Sequence, residues 1–127
     1  MKFTSTDNIE VDRQDQQKIN SFSRLNMQYH ELIRLNQARK EELSRLADGK
    51  DEMELMDDDE KIPFKFGDSF IRVNVEKART LIDEQVVKIK KSFEEDTKKI
   101  EETLKQMNNL KAKLYAKFGS QINLDDE

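Results

Sequence analysis

The chain has no cysteine, one histidine, one proline and three glycines in 127 residues. Without cysteine there is no disulfide framework, no thiolate metal site and no cysteine nucleophile. The single histidine, His30, has no second histidine or cysteine to work with, so it reads as a partly solvated helix residue. Scarce proline and glycine argue against Pro/Gly-rich disorder and against an all-β fold. No run approaches the roughly 18 apolar residues of a membrane span, and the start of the chain, Met1 to Asp7, is too polar for a signal peptide. A cytosolic or nuclear location with no membrane partner is therefore expected. The net charge of −4 disfavours sequence-independent nucleic-acid binding, which needs many Lys and Arg to displace counterions. No glycine-rich phosphate loop is present, so no nucleotide cofactor is expected. The acidic run Asp57-Asp58-Asp59-Glu60 invites a calcium reading, but an EF-hand starting at Asp57 would place Ile62 where the turn needs glycine. No cofactor, no metal and no enzymatic activity are expected.

What is abundant is charge, 39% of residues against 35% hydrophobic. That balance suits long solvated helices with a narrow apolar seam. Two heptad-patterned segments of nearly equal length flank a short β-type island. In the first, heptad sampling gives Phe22, Leu25, Tyr29, Leu32, Asn36, Arg39, Leu43, Leu46, Lys50 and Met53, seven of ten apolar or aromatic. In the second it gives Arg79, Ile82, Val86, Ile89, Phe93, Asp96, Ile100, Thr103, Met107, Leu110, Leu114 and Lys117, eight of twelve apolar. The expected elements are a helix over about 13–58, a hairpin over about 61–73 and a helix over about 75–118, with flexible tails at 1–11 and 120–127. Asp12 and Asn74 are the expected N-caps, and Gly119 the C-terminal stop. Gly49 threatens a kink or an early end to the first helix. On the outer face of the second, Glu84–Lys88, Glu94–Lys98, Glu95–Lys99 and Glu101–Lys105 have the favourable i to i+4 order.

The predicted fold class is mainly α: a single domain over 1–127, built as a long antiparallel two-helix coiled coil with a single β-hairpin at the connection. If the turn lies near Gly67, facing residues have numbers summing to about 134. Phe22 then meets Leu110 and Leu114, Leu43 meets Ile89 and Phe93, and Met53 meets Ile82. In the island, Ile62, Phe64 and Phe66 alternate with Pro63 and Lys65, and Phe70, Ile71 and Val73 follow Gly67-Asp68. A lone two-stranded hairpin is at best marginal in water. Its open edges and aromatic side chains are a template for pairing with other chains. Ile62, Phe64, Phe66, Phe70, Ile71 and Val73 are therefore the candidate assembly residues.

Helix, single hairpin and helix in this order resemble the β-type subunits of the prefoldin family. Three stretches carry the resemblance toward its eukaryotic subunit-4 branch: Asp15-Gln-Gln-Lys-Ile-Asn20, Asp57-Asp-Asp-Glu60 leading to Pro63 and Gly67-Asp68, and Leu114-Tyr-Ala-Lys-Phe-Gly-Ser-Gln-Ile-Asn-Leu124. Ser69 departs from the apolar residue usual after the Gly-Asp pair. The resemblance implies a hexamer of two α-type and four β-type subunits whose hairpins form a double β-barrel platform. It also implies an ATP-independent chaperone that holds non-native proteins, chiefly actin and tubulin, and delivers them to the cytosolic group II chaperonin.

Under that reading the termini converge at a tip, where Ile19, Phe22, Leu114, Tyr115, Phe118, Ile122 and Leu124 are candidate client contacts. The bland alternative is that Ile122 and Leu124, which have no seam partner, fold back to close the coil. The acidic run reads as a soluble shoulder that pairs with basic residues of a neighbouring subunit. Lys88, Lys90, Lys91, Lys98 and Lys99 are interleaved with acids and read as a solvated face. The competing function is a coiled-coil adaptor or scaffold that binds a folded partner through its seam alone.

Overall fold

The structure, a computed structural model, describes residues 2–3 and 10–125. The element order is β1 (Lys2–Phe3), α1 (Arg13–Met53), β2 (Lys61–Phe66), β3 (Ser69–Asn74), α2 (Val75–Phe118), one 3₁₀ turn (Gly119–Gln121) and β4 (Ile122–Asn123). The fold is mainly α, with α1 and α2 antiparallel and the β2–β3 hairpin at their connection. Two compact units divide the chain: a terminal unit, Met1–Arg34 with Asp96–Glu127, and a hairpin unit, Leu35–Glu95.

In the terminal unit, α1 starts where expected. The Asp15 amide donates to Asp12 Oδ1 at 2.8 Å and the Asp12 amide donates back to Asp15 Oδ2 at 3.1 Å. This is a capping box with aspartate at both corners, satisfying two amides at that end. The core of the unit is Ile19, Phe22, Met107, Leu114, Phe118, Ile122 and Leu124, flanked by Leu25, Tyr29, Leu110 and Tyr115. Helix α2 stops at Phe118, and Gly119 follows with φ +58°, a left-handed conformation that favours glycine.

The tails expected to be loose are in part built into this unit. Ile122 and Leu124 are each only 3% exposed, and β4 pairs antiparallel with β1, Lys2 opposite Asn123 and Phe3 opposite Ile122. The reason is that the Gly119 turn lays the segment over Leu114 and Phe118, whose apolar surface would otherwise be wet. Residues 1, 4–9 and 126–127, also expected to be loose, lie outside the described residues.

In the hairpin unit, α1 runs through Gly49 without interruption but ends at Met53, five residues short of the expected 58. Glu54, Asp57, Asp58, Asp59 and Glu60 follow. Carboxylates are unfavourable at a helix C-terminus, where the backbone dipole is negative. Val73, Val75, Ala78, Ile82 and Met53 form the core of the unit, with Leu46, Met56, Ile62, Phe64 and Val86 against it. Asn74 caps α2 as expected, its Oδ1 accepting from the Lys77 amide at 2.8 Å.

The pairing register agrees with the sequence reading in each unit. Lys50 pairs with Asp83 and the Lys40 ammonium lies over the Phe93 ring in the hairpin unit, and Lys117 pairs with Asp15 in the terminal unit, so partner numbers sum to 132 or 133. The seam drifts at the ends of α2: Ala78 and Phe118 are buried rather than Arg79 and Lys117. A straight helix of 3.6 residues per turn slips against a strict heptad. At the polar break of the α1 seam, Asn36 Nδ2 donates to the Phe93 carbonyl at 3.3 Å and its Oδ1 accepts from Arg39 at 2.8 Å. The four Glu–Lys pairs expected along α2 do not close into ion pairs. Exposed long side chains gain little by holding one geometry.

Candidate functional site

The hairpin register is Ile62 opposite Val73, Phe64 opposite Ile71 and Phe66 opposite Ser69 on one face, with Lys61 opposite Asn74, Pro63 opposite Arg72 and Lys65 opposite Phe70 on the other. The two-residue loop is Gly67-Asp68. Gly67 has φ +56° and, among the described residues, no non-glycine residue has a positive φ, the pattern of a type II′ turn with glycine at its first central position. That turn matches the right-handed twist of the strands and so fixes the register.

The ladder is anchored at one end and free at the other. Ile62, Phe64 and Val73 pack on the core of the unit, and Val73 is buried. Phe66, Phe70 and Ile71 are 48%, 68% and 44% exposed. The expectation that all six residues present themselves to partners is thus corrected at Val73, and Ile62 and Phe64 are half-covered by their own chain. Phe70 also stands on the opposite face from Phe64 and Phe66, because strand residues alternate and the register is antiparallel. What remains is a two-stranded sheet with an apolar face of Phe66 and Ile71, a lone Phe70 on the other face, and two outer edges with unpaired backbone groups.

The join between helix and hairpin was not legible in the sequence. The Val75 amide donates to the Glu60 carbonyl at 2.8 Å and the Glu76 amide to the Asp58 carbonyl at 3.1 Å. With Asn74 on the Lys77 amide, the first three amides of α2 are satisfied. Arg79, read from the heptad as a polar seam residue, turns its guanidinium to the end of α1. It donates to the Met53 carbonyl at 2.6 Å and to Asp58 Oδ1 at 2.5 Å. The acidic shoulder therefore has an internal role at Asp58.

In the terminal unit the seven residues expected to face clients are brought together, but into a core. Ile19, Phe22, Leu114, Phe118, Ile122 and Leu124 are buried. Tyr115 is half-buried and its hydroxyl accepts from the Leu124 amide at 3.1 Å, so it holds the terminal segment down. Lys111 pairs with Asp125 across the same segment. Lys117 bonds the Asp15 carboxylate and lies 3.3 Å from Asp12. The Asp15 amide, and after it Lys117, hold the Asp12 carboxyl below its ordinary 3.8. The Asp15 carboxylate raises Lys117 above 10.5.

The family model described as prefoldin subunit matches residues 16–121. Among curated relatives, the probable prefoldin subunit 4 of Dictyostelium discoideum is 40% identical, covering 92% of this chain and 89% of its own. Prefoldin subunit 4 of Saccharomyces cerevisiae is 36% identical, covering 93% and 92%. Prefoldin subunit 4 of Homo sapiens is 34% identical, covering 98% and 94%. Among solved structures, the prefoldin beta subunit from Thermococcus strain KS-1 has the same fold, with TM-score 0.70 and 16% identity over 85% of this chain and 95% of that one. Hairpin, flanking helices and relatives agree, and the chain belongs to the prefoldin subunit family.

Proposed function

We propose that this chain is one subunit of a hetero-hexameric, ATP-independent chaperone, assembled through its hairpin with α-type and β-type prefoldin subunits. The carrying observation is the exposed end of the hairpin, Phe66, Phe70 and Ile71, beside two open strand edges. Such a surface is costly to leave in water and is relieved by strand addition from a neighbour. The assembly binds non-native proteins, actin and tubulin among them, and passes them to the group II chaperonin in the cytosol. This part of the reading is supported by membership of the family rather than by a formed client pocket.

Client capture through the terminal cluster needs the segment after Gly119 to lift, because the apolar residues there are covered. Lifting it exposes Leu114 and Phe118 and makes an apolar surface for a non-native chain.

The test is native mass by light scattering of this chain mixed with a full set of prefoldin partner subunits. Wild type is expected to enter a hexamer. Phe66→Ser with Phe70→Ser is expected to keep its helix content and to be excluded. Entry of the double variant at the wild-type level would refute assembly through the hairpin and favour an adaptor that works by its seam.

A further inference from the structure

The helix seam of the hairpin unit is not filled along its whole length. Leu46, Ile82 and Val86 floor a trough of about 250 Å³, half open to solvent, with Leu43 and Ala47 on its α1 rim. One small residue accounts for the space. Partner numbers sum to 133 at Lys50 and Asp83, which sets Ala47 level with Val86, and a methyl group there leaves room that a leucine would take. The Lys50–Asp83 ion pair, 2.6 Å long, closes one end of the trough. Lys90 stands at the other end, level with Leu43. The seven residues from Leu43 to Lys50 span about 10 Å of helix.

The two lysines differ in what they have left to offer. Lys50 is engaged by Asp83. Lys90 is exposed and has no ion-pair partner among the described residues; Glu94, four positions on, does not pair with it. The trough thus joins an apolar floor to one available cation. A polypeptide segment suits it poorly, because its amides would press on side chains that offer no donor or acceptor. An acyl chain has no such groups to desolvate. We propose that the trough binds a medium-chain carboxylate, its acyl chain along Leu46, Ile82 and Val86 and its carboxylate on the Lys90 ammonium. Burial of the chain supplies the attraction. The exposed ion pair adds orientation and a little affinity. The site lies within one chain and uses neither the hairpin strands nor the terminal cluster.

The test is a titration of the full chain with octanoate, followed by amide NMR shifts. Saturable binding is expected with a dissociation constant of about 1 mM or below, within reach of a ligand this small. The largest shifts are expected at the amides of Ala47, Ile82 and Val86. Butanoate, with less chain to bury, should bind more than about tenfold more weakly. Lys90→Met is expected to weaken octanoate about fivefold and to leave octanol unchanged. Ala47→Phe, at an exposed position, fills the trough and is expected to abolish binding of both. Circular dichroism checks its helix content; if that is lost, the Lys90→Met comparison decides alone. A titration that does not saturate, or largest shifts at the amides of Leu114 and Phe118, would overturn the proposal. So would a Lys90→Met variant that treats octanoate and octanol alike. Tighter binding of a blocked leucyl-aspartate peptide than of octanoate would overturn it too, giving the trough to a protein partner. The measurement uses the chain alone, so exclusion from the hexamer leaves this inference standing, and a dry trough leaves the assembly reading standing.

Discussion

At the scale of single residues, two positions of α1 behave oppositely to their first appearance. Gly49 reads as a breaker, yet it sits inside the helix and nothing lies within 4 Å of a Cβ built there. Its flexibility serves no turn and no close approach, so it is only an entropic cost. Gly49→Ala is expected to stabilise the hairpin unit by about 1 kcal/mol, read as a higher urea midpoint with an unchanged slope. Arg79 is the reverse, a polar break in the heptad that holds the end of α1. Arg79→Met keeps the stem but takes the guanidinium from Asp58 and from the Met53 carbonyl, which keeps only the Met56 amide. A charged hydrogen bond contributes about 1.5–3 kcal/mol, and the exposure of Asp58 puts this one at the lower end. Hydrogen exchange at the Met56 amide, which donates to the Met53 carbonyl, is the local readout and is expected to quicken. Lysine is expected to rescue poorly, because a point charge cannot reach carbonyl and carboxylate together as the guanidinium fork does.

At the scale of elements, the segment after Gly119 behaves as part of the terminal core. Leu124 is 3% exposed and packs in the cluster with Leu114 and Phe118. Leu124→Ala is expected to cost about 2–4 kcal/mol and to raise the binding of an apolar dye. Amide protection in the hairpin unit, whose core is a separate cluster, should be unchanged. If dye binding and amide protection in the terminal unit both stay at wild-type levels, the segment is not holding the cluster closed. This element also shows what the sequence could disclose. Both long helices were legible because burial at heptad spacing is a local, repeated signal. The hairpin was legible because Gly67-Asp68 between alternating apolar residues leaves few other conformations. The path after Gly119 was not, because glycine stops a helix without saying where the chain goes next. That path depends on the Tyr115 hydroxyl and on apolar surface from both helices. The end of α1 was illegible for the same reason: its cap, Arg79, lies 26 residues from Met53 in the chain.

At the scale of the whole molecule, pH acts through charge in a predictable direction. In the folded chain Asp12 lies below 3.8, chiefly through the Asp15 amide, and Glu31 lies below 4.5, chiefly through Arg34. A carboxyl with a depressed folded value contributes stability above its unfolded value and loses it as pH falls through the folded one. Both contributions are therefore intact above about pH 4.5 and are lost in more acid solution. Lys117 and Lys50 are raised above 10.5 by Asp15 and Asp83. Their contributions are complete below 10.5 and fade only above it. Helix content followed by circular dichroism is thus expected to hold level from about pH 5 to about pH 10 and to become thermally labile at both ends. The acid side should be the more severe. Once the 27 carboxylates are protonated, 23 Lys and Arg stand unopposed, 19 of them on the two helices, and self-repulsion disfavours helix pairing. Adding salt in acid should restore part of the loss by screening that repulsion. It should not restore the Asp12 cap, because a protonated carboxyl is a poorer acceptor for the Asp15 amide at any ionic strength. An acid transition that salt reverses completely would mean that the cap and its lysine carry none of the acid sensitivity.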